Sequence, residues 1–125
     1  MKIKSIDHLV IPTSDIQKMV RFYVEVLGME LDTSRNRYAV AFGNQKINLH
    51  DGPAEFLPAA QNPVFGSTDI CFLVEGDLNA VKVELEAKGV EIEEGIVRRN
   101  GAQGVMDSIY LRDPEGNLIE LSTLV

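Results

Sequence analysis

The sequence has no tryptophan, one cysteine and two histidines in 125 residues, and no apolar run approaches the ~20 residues of a membrane-spanning helix. Each scarcity excludes something. A single cysteine, Cys71, cannot form an intrachain disulfide and suits a reducing cytoplasm, where the chain is expected to work. Basic residues are outnumbered, 12 against 19 acidic ones, for a formal net charge of −7. A surface that tracks phosphates needs the opposite balance, so nucleic acid is not an expected partner. The opening MKIKSIDHLV carries basic residues but lacks the apolar stretch of a signal peptide, and no membrane association is expected. Aromatic residues make up 6% of the chain.

What is present is enough for one folded domain over 1–125. The chain is 45% hydrophobic and 25% charged, without a low-complexity tract, so apolar burial offsets chain entropy. Its pattern reads as two halves of the same element order. In the first, KIKSIDHLVIP alternates as a strand with Ile6, His8 and Val10 on one face. TSDIQKMVRFYVEVLGM follows with Ile16, Met19, Val20, Tyr23, Val26 and Leu27 at helical spacing, a cap at Ser14 or Asp15, and Gly28 at the left-handed end position, which predicts a helix over about 16–27. ELDTS, RYAVAFG and KINLH read as three further strands.

The second half repeats the order. STDICFLVE is a strand, DLNAVKVELEAKG a helix with a cap at Asp77 or Asn79 and a terminal Gly89, and VEIEEGIV, SIYLRDP and NLIELSTLV are strands. His8 precedes Gly28 by the same 20 residues that separate Asp69 from Gly89, and GMEL matches GVEI at an offset of 61. Element order, spacing and tetrapeptide together indicate an internal duplication, with module one over about 1–52, a connector over about 53–65 and module two over about 66–125. The connector DGPAEFLPAAQNPVFG holds three of the five prolines and has little capacity for regular structure. RRNGAQGVMD, with Gly101 and Gly104, reads either as a long hairpin loop or as a lid.

The side chains able to bind a metal fall on this frame in pairs. His8 lies on the first strand of half one and Asp69 at the equivalent position of half two; His50 ends the last strand of half one, and Glu120 lies on the last strand of half two, after the DPEGN turn. Lys46, Asn48 and His50 share one strand face, Leu118, Glu120 and Ser122 another, and Asp69 shares its face with Ser67, Cys71 and Leu73. Taken singly, each has a structural reading: an edge histidine, a turn contact, a loop cap, a solvated strand residue. Taken jointly, two histidines and two carboxylates on repeat-related positions point to a metal site.

The segments IDHLVIPTSDIQKMVRFYVEVLGMEL, with a strand histidine and an FY..VLG helix end, and SIYLRDPEGNLIEL, with a DP.GN.IE turn leading to a strand glutamate, resemble the vicinal oxygen chelate superfamily of glyoxalase, bleomycin-resistance and extradiol-dioxygenase proteins. The likeness spans nearly the whole chain and is nearest to small glyoxalase-domain, virulence-associated proteins. It implies an α+β fold in which two tandem βαβββ modules form an incomplete barrel around one divalent metal. It also implies His8 and Glu120 as ligands. Asp69 stands where many members have histidine and His50 where glyoxalase I has glutamate, so His50 is either a fourth ligand or a base behind the metal.

Mixed imidazole and carboxylate donors suit Ni, Zn, Mn, Co or Fe. Four such ligands on an octahedral ion leave two positions for neighbouring oxygens of a small-molecule substrate, whose enediolate or alkoxide the metal would stabilise. Glu120 is then the expected base, with Asp69 or His50 as a further proton carrier. The resemblance thus implies an isomerase, lyase or group-transfer enzyme of glyoxalase type. Two alternatives stand beside it. An extradiol Fe(II) dioxygenase needs a histidine at the Asp69 position, and a metal-free drug-sequestering protein would have lost its ligand residues and lined its cavity with aromatics. Arg98, Arg99 and Arg112 are either holders of a substrate anion or solvated loop charges. A homodimer is expected, as is common in the superfamily.

Overall fold

Two aspartates start the two helices. In the computed structural model, which describes residues 1–125, Asp15 accepts a hydrogen bond from the Lys18 backbone N–H at 3.1 Å, and Asp77 accepts one from Asn79 at 3.0 Å. Each side chain satisfies a donor that the first helical turn leaves free. Helix α1 (Ile16–Arg21) and helix α2 (Leu78–Ala87) follow. Gly28 and Gly89 end them at φ +77° and +79°, a conformation that costs glycine nothing.

The first helix differs from the uniform 16–27 helix that its periodicity predicts. After Arg21 the chain widens into a π-helical turn over Phe22–Val26, with Leu27 N–H donating to Phe22 C=O at 3.1 Å. The adjacent rings of Phe22 and Tyr23 are both buried, edge to face with centroids 5.2 Å apart. A wider turn rotates successive residues less, which helps two neighbouring aromatics reach the same interior.

The chain divides into two units, Met1–Phe65 and Gly66–Val125. In the first, strands β1 (His8–Thr13), β2 (Glu30–Asp32), β3 (Tyr38–Phe42) and β4 (Gln45–Asp51) make one sheet in the order β1-β4-β3-β2. In the second, β5 (Asp69–Leu73), β6 (Glu94–Gly101), β7 (Gly104–Arg112) and β8 (Leu118–Leu124) take the equivalent order β5-β8-β7-β6. One pair in each sheet is parallel, β1 with β4 and β5 with β8; the others are antiparallel. Both units are therefore βαβββ modules, and neither sheet closes on itself.

Each sheet has one dry face. Ile11, Val40, Ile47 and Leu49 are buried in the first unit with Met19 and Tyr23 of the helical segment, and Phe72, Ile109, Leu111, Ile119 and Leu121 in the second with Leu78 and Leu85 of α2. Burying each such side chain contributes roughly 1.5–3 kcal/mol. Gly95, on β6, lies so close to β7 that an added Cβ would sit 2.6 Å from Ile109 Cγ2.

Two expectations are corrected here. RRNGAQGVMD is neither a long loop nor a lid: β6 runs to Gly101, β7 starts at Gly104, and only Ala102 and Gln103 turn the hairpin. The first strand starts at His8, so Ile6 precedes it. The connector over 53–65 has no helix or strand, in keeping with its prolines. No helix is long and apolar enough to cross a membrane.

Candidate functional site

The DPEGN turn fixes the height of Glu120. Asp113 Oδ1 accepts from the backbone N–H groups of Glu115 (3.0 Å) and Asn117 (2.9 Å), and Asn117 Nδ2 donates to Asp113 Oδ2 at 2.8 Å. Asn117 Oδ1 then accepts from the backbone N–H of Thr68 at 2.9 Å, while Leu118 N–H donates to Thr68 C=O at 2.9 Å. Both side chains are buried. This lock holds the start of β8 against the start of β5, so Asp69 lies opposite Leu118 and Cys71 opposite Glu120.

The two carboxylates therefore share the sheet face away from α2, one alternation apart. Beside Glu120 on β7 stands Tyr110, its register partner. Arg99 Nε donates to Tyr110 Oη at 3.0 Å. Ser122 Oγ lies 2.7 Å from Ser108 Oγ and 3.2 Å from Cys71 Sγ, and donates to Glu120 Oε1 at 3.5 Å. Burial, with the carboxylate of Glu120, pushes the Tyr110 hydroxyl above the usual phenol range despite the opposing hydrogen bond from Arg99. Burial likewise pushes the Cys71 thiol up, helped by Glu120 and Asp69. Cys71 is thus held as a thiol, a poor nucleophile and a poor metal ligand. Tyr110, Asp113 and Asn117 were not singled out as site residues from the sequence, although the DP.GN spacing was the signal for the last two, and Arg99, weighed there as an anion holder, instead donates to Tyr110.

In the first unit His8 begins β1 as Asp69 begins β5, in agreement with the 61-residue offset. Its Nδ1 lies 2.8 Å from Asp7 Oδ2. A carboxylate on one ring nitrogen directs the other outward, the arrangement common in metal-bound histidines.

His50 departs from the equivalence read in the sequence. His8 lies opposite Lys46 and His50 opposite Pro12, so the two histidines are four residues apart in height, roughly 13 Å at about 3.3 Å per residue. In the repeat frame, Val10 opposite Asn48 matches Cys71 opposite Glu120, and Pro12 opposite His50 matches Leu73 opposite Ser122. The counterpart of Glu120 is therefore Asn48, and that of His50 is Ser122. His50 packs edge to face on Phe56 of the connector, ring centroids 5.2 Å apart. Burial, together with the charge of Arg37 and against that of Glu55, lowers its pKa.

The structure therefore brings Asp69 and Glu120 together on one face, sets His8 at the matching place in the other unit, and leaves His50 apart from His8. No three His, Cys, Asp or Glu side chains are grouped to hold a metal ion. The three arginines of the second unit have carboxylate partners: Arg98 with Asp107 at 2.8 Å, Arg99 with Glu94 at 3.5 Å and Arg112 with Glu93 at 3.0 Å.

A family model described as the Glyoxalase/Bleomycin resistance protein/Dioxygenase superfamily matches residues 5–121. The virulence protein STM3117 of Salmonella typhimurium is 51% identical over 126 residues, covering 100% of this chain and 88% of that protein. Its crystal structure has a TM-score of 0.97 at 50% identity, over 100% of both chains. The glyoxalase domain-containing protein RDO1 of Mycosarcoma maydis is 44% identical, covering 98% of this chain and 70% of its own length. The glutathione transferase FosA of Serratia marcescens is 31% identical over 95% of this chain and 80% of that protein.

Proposed function

We propose that this chain, which belongs to the glyoxalase/bleomycin resistance protein/dioxygenase superfamily, is a metal-dependent enzyme acting on a small substrate with vicinal oxygens, and that it works as a homodimer. Isomerisation, elimination or group transfer is the reaction class, the last also in the name of the relative FosA. One observation carries the reading: Asp69 and Glu120 share an open sheet face, locked in height by Asp113 and Asn117, and His8 occupies the matching strand start in the other unit.

No three His, Cys, Asp or Glu side chains are grouped in one chain, so neither unit by itself holds a resident ion. Each unit offers part of a donor set, His8 from one and Asp69 with Glu120 from the other, and two copies can complement each other. His8, Asp69 and Glu120 would hold a divalent ion, which would supply Lewis-acid polarisation of neighbouring oxygens. The chain itself supplies proton handling. Glu120 is the acceptor for a substrate proton, and the Tyr110 hydroxyl, held protonated beside it, is a hydrogen-bond donor for an oxygen that gains charge. His50 packs on the Phe56 ring of the connector. The extradiol reading is disfavoured because Asp69 stands where its second histidine is needed. The drug-binder reading is disfavoured by the charged, aromatic-poor face.

Metal content of the purified protein, after incubation with Ni, Zn, Mn, Co or Fe(II), tests the proposal. The wild type is expected to retain one of them, and His8→Ala and Glu120→Ala to lose it; a wild type that stays metal-free overturns the reading. Mixing the two variants tests the dimer. If donors come from different copies, each mixed dimer regains one site of two, and with random pairing metal returns to about a quarter of the wild-type content per chain. No recovery would place the site within one copy.

A further inference from the structure

The open face of the first unit holds a pocket of ≈ 350 Å³ lined by Asp32, Ser34, Arg35, Arg37, Ala39, Lys46 and Asn48. Three cations and one carboxylate leave a surplus of two positive charges there, in a chain whose net charge is −7. The chain's five ion pairs use none of the three cations. Asp32 is already engaged: the Ser34 backbone N–H donates to it at 2.9 Å, and that residue, with the charges of Lys46 and Arg35, holds its carboxyl below the ordinary range. Arg37 lies with its guanidinium carbon 3.7 Å over the Phe56 ring centroid. Stacking uses the flat face of the guanidinium and leaves the N–H edge to donate. Ala39 and Ala41, the register partners of Asn48 and Lys46, keep the floor low.

We propose that this pocket seats the oxyanion of the substrate, which makes the substrate a small acid carrying a carboxylate or phosphate close to its reacting oxygens. The inference deepens the proposed function and rests on it for the word substrate. Lys46 is the strand partner of His8, about 4.8 Å away across the sheet, and Asn48 stands where the second unit has Glu120. An anion held by Arg37, Arg35 and Lys46 therefore lies beside the strand positions that face the chemistry. A planar carboxylate or a phosphate suits the edge of Arg37, with Lys46 as a point charge and Asn48 as a neutral donor. Arg98, Arg99 and Arg112, with carboxylate partners of their own, are not needed for this.

The test is a titration of the metal-free, full-length protein with sodium phosphate and with sodium malonate, each against chloride at equal ionic strength, read by amide chemical shifts. Shifts confined to residues 34–39 and 46–48 are expected. Arg37→Gln and Lys46→Gln should each weaken binding by about tenfold, and Arg98→Gln should leave it unchanged, all three keeping the wild-type circular dichroism. Preference for phosphate or for malonate identifies which acid the pocket suits, and either supports it. Absence of localised shifts with both anions, or an affinity indifferent to both Arg37→Gln and Lys46→Gln, overturns it. Because no metal is present, failure of the metal reading leaves this result standing, and failure here leaves metal retention untouched.

Discussion

The two units share one topology and one repeat frame, yet their open faces are built differently. In the second unit polar groups satisfy one another: Arg99 binds Tyr110 and Glu94, Ser122 reaches Ser108, Cys71 and Glu120, and Arg112 pairs with Glu93. In the first, Arg35, Arg37 and Lys46 line a pocket without ion pairs, and His8 begins its strand beside Asp7 and opposite Lys46. The scaffold is common to both, while the two faces differ, one carrying a carboxylate and a phenol bonded to an arginine, the other cations without ion pairs.

The largest difference to break is the lock. Asp113→Ala leaves the backbone N–H groups of Glu115 and Asn117 and the Asn117 side chain without their acceptor in a buried place, so a loss of about 2–3 kcal/mol in unfolding free energy is expected by denaturant titration. The corresponding turn of the first unit, Gly43–Asn44, has no buried aspartate at its centre: a single exposed bond, from Gln45 Nε2 to Ile6 C=O at 2.9 Å, ties the start of β4 to the chain ahead of β1, and Asn44 is exposed. Asn44→Ala should stay within about 0.5 kcal/mol of wild type. Equal costs would mean that the two turns hold their strands alike, and the contrast would fail.

That contrast also shows how far the sequence was legible. Capping residues, left-handed glycines and period-two alternation carry local physics, so the order of elements, Gly28 and Gly89 are readable, and the caps are narrowed to Ser14 or Asp15 and to Asp77 or Asn79, of which the structure selects the aspartates. Alternation also identifies the face of Asn48 and His50. It does not give their height, because a shift of two residues keeps the face and changes the neighbour. Counting from strand ends thus set His50 against Glu120, where pairing with β1 selects Asn48. The hairpin over 98–107 was hidden for a related reason. Arg98, Arg99 and Asn100 lack apolar alternation, and their strand is sustained by pairing with Asp107, Met106 and Val105.

Asn48→Glu sharpens the comparison by placing the second unit's carboxylate at its counterpart in the first. Metal retention should strengthen, by about tenfold for one added anionic donor. Binding of phosphate to the pocket should weaken, since the new charge offsets one of the two surplus positives. Gain of metal affinity without loss of anion affinity would separate the pocket from the ligand face.

The smallest effect concerns His50. Burial, its largest cause, and the nearby Arg37 lower its pKa in the folded protein, with Glu55 opposing. The unfolded chain, with the imidazole near its ordinary value of about 6.5, then binds the proton more tightly than the folded one. The stability linked to this group is present above that value and is lost as pH falls through it toward the folded pKa. His50→Phe keeps a ring against Phe56 and removes the titration, so the melting temperature of the variant should fall less than that of wild type between pH 7.5 and 5. Partial exposure makes the difference small. If the two proteins lose stability in parallel, the imidazole is not desolvated by Phe56 and the connector, and its separation from the His8 position would need another account.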